Sequence, residues 1–222
     1  MTLILKAWQI KKEARKYKNY YQCAATGGKI FYELKAETLF IYCSVTDNEP
    51  SLKIDWLTNL SAGEFRHNGN IFHYGFYRAA KSLFDYLTLT FNFLHVENIV
   101  IVGYSQGAAI APILSILLSE QFQSVKIDCV SFEAPNYCKK ACLKNANLEV
   151  VNVINGNDTV TKHPTYFTKY GDIVYIGAPR KWYKTGIVFR YDKTQSGMRK
   201  FVDIPEHQYR SVEENLFNMA VL

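Results

Sequence analysis

Glycine and proline are scarce in this chain of 222 residues, with 12 and 6 copies, and neither is clustered. This scarcity excludes collagen-like and low-complexity sequences, which are built from such residues. Charged side chains make up only 21% of the chain, beside 48% hydrophobic residues. That balance excludes an intrinsically disordered chain, because enough apolar surface is available to offset the entropy lost on folding. The length predicts a single domain spanning residues 1–222.

Cysteine is also rare, with five copies, an odd number that cannot all pair within one chain. No secretory signal is evident, because charges resume at Lys6 after a short apolar stretch and no small-residue cleavage site follows. We therefore expect reduced thiols and a cytoplasmic protein. Cys138 and Cys142 lie one helical turn apart, but no further ligands occur at matching spacing. We predict no metal site and no cofactor.

One stretch lacks charge altogether, from Asn98 to Ser119. Its 22 residues have the length of a transmembrane span. However, it contains Ser105, Gln106 and Pro112, and its apolar pattern changes midway. It is therefore interpreted as a buried strand, a tight turn and a buried helix.

Apolar runs alternate with amphipathic stretches along the rest of the chain. The predicted strands are residues 38–45, 98–103, 125–132, 148–154 and 172–176, with a further strand beginning at Val188. The predicted helices are a leading amphipathic helix from Leu3 to Tyr21, then 76–96, 106–121, 136–143 and 207–221. Apolar strands separated by helices indicate an α/β fold with a mostly parallel central sheet and helices on both faces.

The strongest local motif is Gly103-Tyr104-Ser105-Gln106-Gly107, a G-x-S-x-G pentapeptide between a predicted strand and a predicted helix. A nucleophile at such a sharp turn requires glycine on both sides, because strand and helix approach too closely for a Cβ atom. Ala108 and Ala109 follow, so the helix begins with small residues where it must pack closest. We predict that Ser105 is a catalytic nucleophile and that Gly103 and Gly107 form its turn.

A serine nucleophile needs a histidine as base and a carboxylate that orients the histidine. In one common arrangement, nucleophile, acid and histidine follow in that order along the chain, and only His163 and His207 come after Ser105. His163 lies only five residues beyond Asp158, which is close for groups from different loops. Asp158 follows a predicted strand, at the sheet edge where such sites collect. We therefore predict Asp158 as the acid, although an Asx-turn would also suit it, and His207 as the base.

Several motifs, in this order, resemble those of the class 3 lipases, the fungal-type triacylglycerol lipases of the α/β-hydrolase fold. The matching segments are Asp55-Trp56-Leu57, His73-Tyr74-Gly75-Phe76, the Gly-x-Ser-x-Gly-Ala-Ala around Ser105, the turn around Asp158, and His207 with Tyr209. The strand Leu39 to Val45 occupies the place of the family's oxyanion strand, but its Tyr-Cys-Ser-Val-Thr sequence departs from the usual Gly-Thr or Gly-Ser.

The resemblance implies a serine ester hydrolase that cleaves carboxylic esters of acyl lipids through an acyl-enzyme. It implies an oxyanion hole formed by the backbone N–H of Gln106 and that of Val45, or alternatively Ser44 or Thr46. It also places a lid over residues 47–67, with a permanently packed surface segment as the alternative reading of that stretch. Two other functions remain open, a catalytically inactive binding protein on this fold and a cutinase-like or short-chain carboxylesterase.

The formal net charge of the whole chain is +6, and the excess of basic over acidic residues is concentrated in two segments. Residues 1–22 contain six basic side chains and one acidic one, and residues 180–200 contain seven and one. The remainder of the chain is net negative. No nucleic-acid-binding module accompanies these segments, so we predict no nucleic-acid partner. We expect them to support peripheral association with an anionic membrane or lipid surface.

Overall fold

A computed structural model describes residues 2–45, 63–139, 145–156, 158, 160–176 and 209–220. Within them the strands are β1 (Asn19–Gln22), β2 (Gly28–Lys35), β3 (Thr38–Val45), β4 (Glu64–His67), β5 (Asn70–His73), β6 (Asn98–Tyr104), β7 (Lys126–Phe132), β8 (Leu148–Asn155) and β9 (Asp172–Ile176). The helices are α1 (Thr2–Glu13), α2 (Tyr74–Thr90), α3 (Gln106–Gln121) and α4 (Tyr209–Ala220). Short 3₁₀ turns cover Ala14–Lys16, Phe93–His95 and Val160–Lys162.

The central sheet has the strand order β1-β2-β3-β6-β7-β8-β9 in the described residues. From β3 to β9 every neighbouring pair is parallel, whereas β1 and β2 add an antiparallel edge. The predicted mostly parallel sheet is therefore confirmed. Strand β6, which precedes Ser105, lies in the middle of the sheet, where apolar neighbours on both sides explain its uninterrupted Ile-Val-Ile-Val run.

Helices cover both faces of this sheet, as predicted. On one face α2 and α3 bury Phe76, Leu83 and Ile110 against the strands. On the other face Trp8 of α1 and Leu216 of α4 join a second core, in which the Trp8 ring meets Phe132 edge-on at 4.9 Å between centroids. Burial on two faces fixes the strand positions that carry the candidate site.

The uncharged stretch folds as a strand, a turn and a helix. Strand β6 extends one residue beyond its predicted end, and α3 has the predicted bounds. Helix α3 is buried on all sides over most of its length, which accounts for its lack of charge. Among the described residues no helix is long and apolar enough to cross a membrane.

The leading helix is shorter than predicted. Helix α1 ends at Glu13, a 3₁₀ turn follows, and the backbone is extended at Tyr17. Tyr21 lies in β1 and pairs with Ile30 of β2 instead of continuing the helix. The prediction was wrong because tyrosines at helical spacing also suit a half-buried strand. Pairing with β2 selects the strand over the helix at these residues.

Strands β4 and β5 form a hairpin that was not predicted. Its turn, Asn68-Gly69, has positive φ at both residues, 45° and 79°, as a tight two-residue hairpin requires. His67 anchors the hairpin to α3 through a 2.8 Å contact between its Nε2 and Oε2 of Glu120. Strand β4 takes up the last residues of the predicted lid segment 47–67, and residues 47–62 lie outside the described part of the chain.

Two other helical predictions need correction. The helix predicted over 76–96 begins at Tyr74 and ends at Thr90, because the chain turns extended at Phe91. Residues 136–139 of the helix predicted over 136–143 are extended rather than helical. Cys138 forms isolated bridges with Phe72 and Thr168, so long-range pairing overrides the local helical spacing. The rest of that helix, Cys142 and the strand predicted at Val188 lie outside the described residues.

Candidate active site

Ser105 occupies the sharp turn between β6 and α3. Its φ of 55° and ψ of −122° lie in a region that residues with a side chain rarely adopt. The turn is held on both sides, since Ser105 N–H donates to the Phe132 carbonyl at 2.9 Å and Ala108 N–H donates to the Ser105 carbonyl at 3.0 Å. Such strain persists only where the surroundings enforce it, and it is typical of functional positions.

The two glycines of the motif are sites of backbone contact. A Cβ atom on Gly103 would lie 2.4 Å from the carbonyl oxygen of Gly107. A Cβ atom on Gly107 would lie 2.2 Å from the carbonyl oxygen of Cys43 in β3. The first turn of α3 thus packs directly against the backbones of β6 and β3, which is possible only without side chains.

We expect Gly107→Ala to lower the free energy of unfolding by about 3 kcal/mol or more, because the overlap involves backbone that cannot rotate away. Urea denaturation of both proteins measures the difference. Gly63→Ala is the matched control, since a Cβ atom there meets nothing within 4 Å. Equal stability of the Gly107 and Gly63 variants would contradict the close packing described here.

The start of α3 and the end of β3 lie close together beside Ser105. Gln106 begins α3, and the first N–H groups of a helix have no partner within it. Strand β3 pairs with β6 as far as Cys43 opposite Gly103, so Ser44 and Val45 run on beside the nucleophile turn. Thr46, the third candidate for the oxyanion donor, lies outside the described residues. The arrangement brings a helix N-terminus and a strand end to one place, as an oxyanion hole requires.

Asp158 is fully buried just beyond the end of β8. Its Oδ1 accepts a hydrogen bond from Val160 N–H at 2.9 Å, and its carbonyl accepts one from Thr161 Oγ1 at 2.7 Å. This is the Asx-turn anticipated as the alternative interpretation of the residue. The turn and a catalytic role are compatible, because the turn fixes the direction of the carboxylate.

Ser105 and Asp158 lie at the same edge of the sheet, where β6, β7 and β8 end side by side. One strand, β7, separates the two strands that carry them, so the strand ends are about 10 Å apart. Serine and aspartate side chains that reach towards each other across such a gap can be bridged by one imidazole ring.

Of the two candidate bases, His163 lies in the described part of the chain and His207 does not. His163 follows a 3₁₀ turn, is half-buried, and accepts a hydrogen bond on its carbonyl from Asn136 N–H. Burial, and secondarily the charge of Lys162, lower the pKa of the His163 imidazole. His207 lies outside the described residues, two positions before α4 begins.

Helix α4 is fastened to the edge that carries Asp158. Asn155, the last residue of β8, donates from Nδ2 to Ser211 Oγ at 2.9 Å and accepts on Oδ1 from Asn215 Nδ2 at 2.6 Å. The start of α4 therefore lies beside the end of β8. Asn155, at that end, precedes Asp158 by three residues in the chain.

Two charged residues of this region were missed by sequence reasoning. Glu133 directly follows β7 and is fully buried, and its Oε1 accepts a hydrogen bond from Asn155 N–H at 2.6 Å. Lys169 donates from Nζ to Asn136 Oδ1 at 2.6 Å and to the Thr161 carbonyl. Burial lowers the pKa of Lys169 to about 8, although the neighbouring acidic groups of Asp158 and Glu133 oppose that shift. The sequence could have indicated Glu133 as a candidate, because it directly follows a predicted strand. No sequence feature indicates Lys169.

A family model of lipases, described as "Lipase (class 3)", matches residues 41–168, more than half of the chain. The chain belongs to the class 3 lipase family. The resemblance noted in the motifs is thereby confirmed. The matched range begins within β3 and contains the turn at Ser105 and Asp158. No curated protein sequence matches the chain.

Solved structures of fungal lipases share the fold. A triacylglycerol lipase from Penicillium expansum superposes with a TM-score of 0.60 at 13% identity, covering 79% of each chain. The lipase of Rhizopus microsporus var. chinensis gives 0.57 at 14% identity over 76% of this chain, and that of Rhizomucor miehei gives 0.56 at 13% over 72%. The chain spans 64% and 65% of those two chains, just under two thirds.

Proposed function

We propose that this class 3 lipase family member hydrolyses carboxylic esters of acyl lipids with Ser105 as the nucleophile. The observation that carries the proposal is the strained Ser105 backbone, held between two glycines that no other residue can replace without overlap. Family membership supports a carboxylic ester hydrolase as the reaction class. The buried Asp158 at the same sheet edge supplies a carboxylate of the kind a catalytic histidine needs.

In the proposed reaction, Ser105 Oγ attacks the ester carbonyl carbon while His207 accepts the hydroxyl proton. Negative charge develops on the carbonyl oxygen, where the N–H groups of Gln106 and of Val45, or Ser44 or Thr46, stabilise it. The tetrahedral intermediate collapses, the C–O bond breaks, and His207 protonates the departing alcohol. Water, deprotonated by His207, then attacks the acyl-serine, and the acid is released as the bond to Ser105 Oγ breaks and His207 returns the proton to that oxygen.

Asp158 stays ionised through this cycle and stabilises the imidazolium that forms on His207. Support for His207 comes from the helix that follows it, which is bonded to Asn155 at the end of β8. His207 precedes Tyr209, the first residue of α4, by two positions in the chain, which is the reason for assigning the base to it. His163, by contrast, comes from the loop that carries Asp158 itself.

We also propose that the enzyme docks on anionic lipid surfaces. The basic end of α1 lies near the active edge, since Lys11 Nζ is 4.7 Å from the ring centroid of Tyr104, the neighbour of Ser105. Lys12 joins the same end to α4 through a 3.1 Å contact with Glu213. Each basic residue near an anionic membrane surface contributes about 1 kcal/mol. The second basic segment, 180–200, lies outside the described residues.

A substrate panel tests both parts of the proposal. We expect hydrolysis of nitrophenyl esters in solution, and of acyl lipids in vesicles, with tighter binding to vesicles containing phosphatidylglycerol than to phosphatidylcholine alone at low salt. Activity confined to short soluble esters would indicate a short-chain carboxylesterase instead. Equal binding to both vesicles would contradict the docking proposal, and absence of any hydrolysis would leave a catalytically inactive binding protein.

A further inference from the structure

Glu133 is unusual both in its backbone and in its burial. It follows β7 with a φ of 57°, the left-handed region in which glutamate is uncommon. Its N–H donates to the Val153 carbonyl at 2.9 Å, so pairing with β8 enforces this conformation. The side chain is completely buried between the ends of β7 and β8. A charged residue type with strained backbone and no solvent contact calls for a physical explanation.

The two carboxylate oxygens of Glu133 have different surroundings. Oε1 accepts from Asn155 N–H at 2.6 Å, whereas Oε2 meets no hydrogen-bond donor among the described residues. Burial raises the pKa of the Glu133 carboxyl well above its ordinary value, and the neighbouring Asp158 carboxyl raises it further. A proton on Oε2 satisfies both acids, because the buried oxygen then donates to the Asp158 carboxylate.

The charge balance of the cluster agrees with one shared proton. Among the described residues, the charged group that acts on both carboxyls is Lys169. Its ammonium is fixed by Asn136 and the Thr161 carbonyl. One proton on the acid pair leaves a single negative charge opposite this single positive charge. Two ionised carboxylates would leave an excess buried charge, which is costly.

We propose that Glu133 is a positioning residue of the candidate active site, whose protonated carboxyl donates a hydrogen bond to the Asp158 carboxylate and fixes its orientation towards the catalytic histidine. The inference rests on the proposed function, because it requires Asp158 to be the acid of the triad. The proton remains on Glu133 throughout the reaction, and Asp158 remains the anion that stabilises the imidazolium. The strained φ of Glu133 thus serves to aim one carboxyl at another.

Carbon-13 NMR tests the shared proton without any turnover. Protein labelled at the glutamate side-chain carboxyls is expected to show, at pH 7, one resonance with the shift of a protonated acid. Glu133→Gln should remove that resonance, and Asp128→Asn, which changes a carboxyl earlier on the same strand β7, should leave it in place. A spectrum of the wild-type protein without a protonated glutamate, or one in which the resonance survives Glu133→Gln, would overturn the proposal.

Steady-state hydrolysis of a nitrophenyl ester tests the positioning role. Glu133→Gly removes the carboxyl while suiting the positive φ, and we expect kcat to fall about 10- to 100-fold with KM within about twofold. Glu133→Gln keeps an N–H donor for Asp158 and an acceptor for Asn155, so it should recover kcat to within about fivefold of wild type. An unchanged kcat in Glu133→Gly, or an equal loss in both variants, would overturn the positioning role.

Failure of the positioning role and failure of the proposed function give different results. If the wild-type enzyme hydrolyses the ester and the Glu133 variants behave alike, the positioning role fails and the proposed function stands. If the wild-type protein hydrolyses no ester, the proposed function fails, and with it the catalytic meaning of Glu133. The NMR resonance then still reports whether the buried acid pair holds a proton.

Discussion

Replacement of Ser105 by alanine is expected to lower kcat for ester hydrolysis by about 10⁴-fold or more, because the attacking oxygen and the covalent acyl-enzyme are both lost. The binding pocket and the backbone N–H groups at the start of α3 remain, so KM should change little. Alanine tolerates the turn no worse than serine, since both carry a Cβ atom at the same positive φ. Initial rates with nitrophenyl butyrate measure the effect.

Ser115→Ala is the matched control for this experiment. Ser115 lies buried on the same helix α3, where its hydroxyl donates to the Ala111 carbonyl at 2.8 Å. Its loss should leave kcat within about twofold of wild type, because it lies more than two helical turns beyond Ser105. A Ser105→Ala enzyme as active as the Ser115→Ala enzyme would show that Ser105 is not the nucleophile.

His207→Ala is expected to produce a loss of similar size, about 10⁴-fold or more in kcat, because triad members act as a unit. Without the imidazole, the Ser105 hydroxyl keeps its proton and the departing alcohol is not protonated. Burst and steady-state rates of nitrophenol release measure both steps. The stability of the variant should be close to that of wild type, which circular dichroism on heating checks.

His163→Ala is the control for His207→Ala, and it also tests the alternative assignment of His163 as the general base. His163 follows the turn that carries Asp158, and its main-chain carbonyl accepts a hydrogen bond from Asn136 N–H. We expect this variant to retain kcat within about threefold. The opposite pattern, loss in His163→Ala and retention in His207→Ala, would transfer the role of general base to His163 and reject the assignment of His207.

The central elements of the fold were predictable because their burial is nearly complete. Strand β3 and helix α3 have the predicted bounds, and β6 differs by one residue. A strand covered on both faces has a continuous apolar run, and the G-x-S-x-G motif marks the point where strand becomes helix. Local sequence therefore specifies these elements without knowledge of their partners.

The edge elements were not predictable in the same way. Strand β1 mixes tyrosines with polar residues and strand β2 mixes aromatic with charged residues, and Tyr21 also continued the helical spacing of α1. Their structure is decided by antiparallel pairing with each other and with β3, which no short window contains. The Asn68-Gly69 turn, by contrast, is a strong hairpin signal that local reasoning could have used.

The residues of the candidate site likewise differ in whether local sequence predicts them. Ser105 and Asp158 were predictable as single residues at strand ends, since each follows an apolar run. The pairing of Glu133 with Asp158 depends on the register of β7 against β8, which sets Phe132 opposite Val153. Lys169 reaches the pair from beyond a turn. Such clusters arise from the tertiary fold, so the spacing of their residues in the sequence does not predict them.

Covalent labelling tests the central claim most directly. A fluorophosphonate reacts with a serine only when a neighbouring base activates it, and the adduct can be located by mass spectrometry of the digested protein. The account predicts one phosphonyl adduct per chain, on the peptide that contains Ser105, and none in the Ser105→Ala protein or after denaturation. Absence of an adduct in the native wild-type protein, or an adduct on another residue, would contradict it.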